Sequence, residues 1–165
     1  MRVVPMAVIA AVLGLSSPTS GHTQRLIADS LRAQAPAFDL PIWNSDSAAT
    51  PGRLTLDDLR GQVVVIDFWA RHCVPCVPIH AALIEKASEW QAQGVRIVSV
   101  LTWEDPLALG SFFDSQGARP SFPVLLDEPG TLIEALDSRA MPTVAIIDHQ
   151  GRIAWKHSGG MSPAV

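Results

Sequence analysis

The chain holds two cysteines, Cys73 and Cys76, in the stretch Asp67-Phe68-Trp69-Ala70-Arg71-His72-Cys73-Val74-Pro75-Cys76. An apolar run, Val63-Val64-Val65-Ile66, precedes them and a helical pattern running to Gly94 follows. A buried strand therefore delivers both thiols to a helix start. The partial positive charge and free N–H groups there favour thiolate over thiol. With two residues between them, the second sulfur lies one helical turn from the first, close enough for a disulfide. Cys73, before or at the helix start, is the candidate nucleophile, with Arg71 and His72 just upstream as candidate stabilisers of its thiolate. Cys76, one turn in, is the candidate resolving thiol. Pro75 suits a first helical turn and removes one N–H beside the sulfurs.

Other polar residues stand where chemistry would need them. Asp67 lies in an apolar strand, where a carboxylate is costly unless paired, hydrogen-bonded or protonated. Glu104 follows the strand Val95–Leu101, at the strand end that opens toward the cysteines. His72, Cys73, Cys76 and His80 together form a candidate donor set for copper(I) or zinc. The simpler reading leaves both histidines on the surface, and no metal site is assigned. With no further cysteine, a four-thiolate zinc site and a disulfide scaffold are both excluded.

The elements that position these groups can be read in order. Residues 1–21 read as a signal peptide or N-terminal anchor: Arg2, an apolar stretch to Leu15, then small polar residues to Gly21. That stretch is short for a bilayer span, and no cysteine near it offers a lipid anchor. Residues 22–35 read as a linker or tether with a short helix, and 36–165 as one domain. Thr55 caps a helical turn that Gly61 stops. Gln62–Phe68 is a central strand whose continuous hydrophobicity requires cover on both faces. Ile79, Ala82, Leu83, Ala87 and Trp90 mark a helix ended by Gly94. Asp105-Pro106 opens a helix to Gln116. Short elements follow at Phe122–Leu126 (strand), Gly130–Asp137 (helix) and Thr143–Asp148 (strand). His149-Gln150-Gly151 then turns the chain into a hairpin partner, Arg152–His157. This order predicts an α/β fold, a mixed sheet with helices on both faces. Ser162 and Pro163 read as the opening of a final helix that the chain lacks, and lowered stability is the expectation.

Composition bounds the function. The chain of 165 residues is 48% hydrophobic and 17% charged, with a formal net charge of −4. It has no basic run of the kind a nucleic-acid partner requires.

The stretch from Asp67 to Cys76 resembles the thioredoxin superfamily, and within it the extracytoplasmic TlpA/ResA-like thiol–disulfide oxidoreductases. The resemblance spans about residues 36–160. It implies a thioredoxin-like fold and reduction of disulfides in exported proteins, for example in cytochrome c or copper-oxidase maturation. It implies a periplasmic or otherwise extracytoplasmic monomer, a membrane electron donor, and no cofactor beyond the Cys73–Cys76 disulfide. Asp67 matches the buried acid thought to move protons to and from the resolving cysteine. Glu104 corresponds to a glutamate that tunes the thiols. Pro142, before what reads as the last parallel strand, matches a cis-proline facing the cysteines. Trp69, His72, Pro75, Met141 and Thr143 fall at partner-docking positions, with His72 where the group usually carries Trp. A copper-binding assembly factor and a peroxiredoxin are the competing readings. The second would need Thr three residues before Cys73, where Ala70 stands.

Overall fold

The computed structural model describes residues 25–44 and 52–160. The export-type segment 1–21, the start of the tether, most of the 44–52 loop and the Ser162-Pro163 helix opening lie outside the described residues. Two sheets form. A small antiparallel pair joins β1 (Asp39–Pro41) to β2 (Arg53–Thr55). The main sheet contains β3 (Val63–Trp69), β4 (Val95–Thr102), β5 (Val124–Asp127), β6 (Thr143–Ile147) and β7 (Ile153–Ser158), in the order β5-β4-β3-β6-β7. Strands β3, β4 and β5 are parallel, whereas β6 is antiparallel to β3 and to β7. The strand after Pro142 is therefore not parallel to its neighbours. It enters the sheet from the opposite end, which sets its first residue, Thr143, beside Phe68 near the carboxyl end of β3.

Alternation along β3 divides the core. Val63 and Val65 face helix α1 (Cys76–Ala92), packing with Ile79, Leu83 and Ala87. Val64, Ile66 and Phe68 face the other side, with Leu132, Ile133 and Leu136 of and beside helix α3 (Thr131–Ala135). All seven residues of β3 are buried, as the continuous apolar run requires. Helix α2 (Leu109–Gln116) opens after a 3-10 turn, Pro106–Ala108, whose first free N–H groups include that of Leu107, bonded to Asp105 Oδ1. Leu109 and Phe113 of α2 pack with Trp69, Leu101, Val124 and both cysteines at one end of the sheet. Thr55 and Asp58 exchange backbone-to-side-chain hydrogen bonds in a reciprocal cap on the Asp57–Leu59 turn.

Both edges of the main sheet are covered. Trp43 N–H donates to the Val124 carbonyl along β5. Along β7, Ile27 N–H donates to Ala154 O and Ile153 N–H to Ala33 O, while Gln34 bridges Arg152. The described part of the stretch read as a tether is thus fixed edge cover, with Leu26 packed against the core on the α1 side. Covered edges remove unpaired N–H and C=O rows that would recruit another chain.

Candidate active site

Cys73 and Cys76 are joined by a disulfide, their Cα atoms 5.3 Å apart. Cys76 is the first residue of α1 and has no exposed surface, while Cys73 keeps 9%. Access to the pair is therefore through Cys73. Around it, Val74 is 81% exposed, Pro75 is exposed, and His72 has two-thirds of its side chain in solvent. The docking positions His72 and Pro75 are at the surface, and Met141, half-buried, packs against the cluster that contains both sulfurs. The Met141–Pro142 peptide is cis, and Pro142 O accepts from Gly159 N–H.

Trp69 and Thr143 are not at that surface. Trp69 is fully buried: its indole N–H donates to Ser99 Oγ at 2.6 Å and its ring stacks on His80, centroids 4.1 Å apart. Strand alternation sends its side chain inward under α1 rather than out toward a partner. Thr143, also buried, donates to Ala140 O at 2.6 Å and lies 2.8 Å from Ser138 Oγ, which in turn bonds Ser158. Its side chain braces the loop from inside.

Asp67 is fully buried, and its partner is His80, with Nδ1 3.0 Å from Oδ2. His80 is neither a surface residue nor part of a donor set with the cysteines. Lying four residues after Cys76, it shares the buried face of α1 with Cys76, Ile79 and Leu83. That spacing was the available signal for its burial. Ser99, missed by the sequence reading, is 3.5 Å from His80 Nδ1. A lone serine in the apolar run Val95–Leu101 was the clue. Among the described residues no three His, Cys, Asp or Glu side chains converge on a common metal position.

Glu104 is held against the segment before Cys73. Arg71 N–H donates to Oε2 at 2.6 Å, the Arg71 guanidinium reaches Oε1 at 2.8 Å, and His72 Nδ1 lies 3.7 Å from Oε1. Its side chain is 12% exposed. The preceding residue makes this possible. Trp103 adopts a left-handed backbone, φ 57°, turning the chain sharply at the end of β4. Its indole lies on Gly130, where an added Cβ would come within 1.8 Å of Nε1. Neither Trp103 nor Gly130 carried a sequence signal for this contact.

The geometry thus brings together Cys73, Cys76, Met141 and Pro142 at one sheet end, with Glu104 beside them and the Asp67–His80 pair beneath α1. Such a site can exchange thiols with disulfides through one accessible and one shielded sulfur.

Comparison with known proteins agrees. The Redoxin family profile matches residues 31–164. The thiol-disulfide oxidoreductase ResA of Halalkalibacterium halodurans is 31% identical over 162 residues, covering 98% of this chain and 87% of that protein. ResA of Bacillus subtilis is 31% identical over 133 residues, 81% of this chain and 70% of that one. Among solved structures, a Chlorobium tepidum protein assigned as thiol:disulfide interchange protein DsbE superposes with a TM-score of 0.66 at 28% identity, covering 79% and 86% of the two chains. A DsbF homologue from Corynebacterium diphtheriae, at 19% identity, shares the fold with a TM-score of 0.68 over 89% and 91%. The chain belongs to the redoxin family, as a ResA-like thiol–disulfide oxidoreductase of the thioredoxin superfamily.

Proposed function

We propose that the chain reduces disulfides of proteins outside the cytoplasm, in cytochrome c or copper-oxidase maturation, and is itself re-reduced by a membrane electron donor. The observation that supports the direction is the placement of two carboxylates on the segments that carry the dithiol, Glu104 paired with Arg71 and Asp67 with His80. Glu104 is tied to the residues immediately before Cys73, and Asp67 is buried under the helix that begins at Cys76. Negative charge near a sulfur disfavours thiolate. It thereby destabilises the reduced form relative to the disulfide, the opposite of what makes an oxidant. Export is supported by the charge, apolar and small-residue order of residues 1–21. No helix among the described residues is long and apolar enough to cross a membrane.

In this reading the Cys73 thiolate attacks one sulfur of the partner disulfide and releases the other as thiolate. Cys76 then loses its proton, with Asp67 as the first acceptor. It attacks Cys73 Sγ, breaking the mixed disulfide and freeing the second partner sulfur. Two electrons pass from the dithiol to the partner. His72, Pro75 and Met141 line the approach, and Glu104 tunes Cys73.

The test is the reduction potential of the Cys73–Cys76 pair, by equilibration with thiol buffers and alkylation. A value near or below about −220 mV is expected, and a value near about −120 mV would make the protein an oxidant and overturn the direction.

A further inference from the structure

The Asp67–His80 pair has two polar atoms left over. Asp67 Oδ1 and His80 Nε2 are both buried and have no hydrogen-bond partner among the described residues. Unsatisfied buried polar atoms are costly and uncommon, so two on one contact ask for a role. The groups packed on the imidazole from other elements are Asp67 and Trp69 of β3, Ser99 of β4, Phe113 of α2, and Phe122. Of these only Asp67 carries an ionisable side chain. On its own helix, Cys76 lies one turn away on the same buried face, a separation of about 5–6 Å between Cβ atoms.

His80 also lines a cavity of about 90 Å³ between α1 and α2, together with Val77, Ile84, Phe112 and Gln116. That space is large enough for water. In this disulfide state a neutral imidazole donating Nδ1–H to the Asp67 carboxylate leaves Nε2 bare. The ring therefore stands between a buried carboxylate and a cavity that water can enter, one helical turn from the resolving sulfur.

We propose that His80 is a positioning residue for Asp67 and the next carrier of the resolving thiol's proton, passing it from the buried carboxylate to water in the α1–α2 cavity. When Cys76 closes on the mixed disulfide, its S–H proton moves to Asp67 and the Cys76–Cys73 S–S bond forms. The Cys73–partner S–S bond breaks, its electron pair leaving on the partner thiolate. In the dithiol state the ring carries its proton on Nε2, so the bare Nδ1 accepts the proton from Asp67 as the Nε2 proton passes to water, leaving the Nδ1–H tautomer of the disulfide state until re-reduction restores the first. In the reverse direction the same path delivers the proton. The proposal rests on the dithiol chemistry and holds for either direction of net electron flow, so a potential that overturns reduction leaves it standing.

The experiment follows thionitrobenzoate release when the reduced full chain meets excess dithiobis(nitrobenzoate). Cys73 releases the first equivalent and closure by Cys76 the second. His80→Ala is expected to slow the second phase by about 100-fold near neutral pH, within the range of a lost proton-transfer group, and leave the first phase unchanged. The deficit should shrink above about pH 9, where the thiol ionises without help. Imidazole, entering the enlarged cavity, should restore the second phase. Pyrazole, of the same shape but far weaker as a base, should not. His80→Gln, which keeps a hydrogen bond to Asp67 but cannot accept and pass on a proton, should show the same selective loss. Equal slowing of both phases, an unaltered second phase in His80→Gln, or rescue by pyrazole as effective as by imidazole would overturn the proposal.

Discussion

The Glu104 carboxylate is held twice by Arg71, through the backbone N–H at 2.6 Å and the guanidinium at 2.8 Å. The residue two before the nucleophile thus fixes an acidic side chain that follows β4 at the mouth of the site. The backbone bond carries the position, and in the proposed reading the charge acts on Cys73.

Glu104→Gln separates those two contributions, because the amide oxygen still accepts from Arg71 N–H. With the charge removed, the Cys73–Cys76 potential should become less negative by about 10–30 mV. Alkylation of Cys73 at pH 7 should quicken by a few-fold as more thiolate forms. Thiol-buffer equilibration and iodoacetamide kinetics on one preparation check both.

Gly130→Ala should act on the site from a distance. The position has φ 78°, and its new Cβ would meet the Trp103 indole. Left-handed strain adds about 1–2 kcal/mol and overpacking about 1–3 kcal/mol. Urea unfolding is expected to show a loss of about 2–5 kcal/mol. Because Trp103 sets the turn into Glu104, the potential should shift in the same direction as in Glu104→Gln.

Asp148 makes the fold acid-sensitive. Burial raises its pKa, but hydrogen bonds from the Arg152 backbone and side chain, Arg32 and the Gln150 N–H outweigh that and hold it below the usual carboxylate range. A depressed folded-state pKa contributes stability above the unfolded value of about 3.9, and the contribution is lost as pH falls through the folded value. Asp148→Asn should therefore cost about 3 kcal/mol at pH 7. It should also flatten the decline in stability below about pH 4, as read by denaturant midpoints across pH.

A chain starting at Pro36 loses the hydrogen bonds of Ile27, Ala33 and Ala35 to the β7 hairpin and the Arg32–Asp148 ion pair. At about 1 kcal/mol per hydrogen bond, the expected destabilisation is about 3 kcal/mol. The bared β7 edge should add concentration-dependent association, visible by light scattering. A monodisperse, equally stable product would remove the edge-cover role.

Much of this architecture was legible in the chain because local signals agreed with the global fold. The Val63–Ile66 run could only be a doubly covered strand, Asp105-Pro106 could only open a helix, and the Cys73/Cys76 spacing at a helix start defined the chemistry. What stayed hidden depended on contacts distant in sequence. His80 was readable as facing the Cys76 side of α1, but its carboxylate partner is thirteen residues back on β3, and only the packed layers bring them together. The inward turn of Trp69 depended on where β3 ends, and the antiparallel entry of β6 on the path of the loop before Pro142. The left-handed Trp103 is stabilised by packing on Gly130, which no local propensity reports.

The three hydroxyls of Ser138, Thr143 and Ser158 form a connected chain behind the Ala140–Pro142 loop. That loop has little freedom left to lose when a partner arrives, so the entropy of forming the encounter complex falls on the partner. Clients whose cystines sit in already mobile segments would have to melt least structure to be reached, whereas cystines locked inside finished domains would carry an added unfolding cost. For the proposed protein clients, a stiff wall on the enzyme side would act as a sieve for conformational maturity, favouring chains whose folding is less advanced.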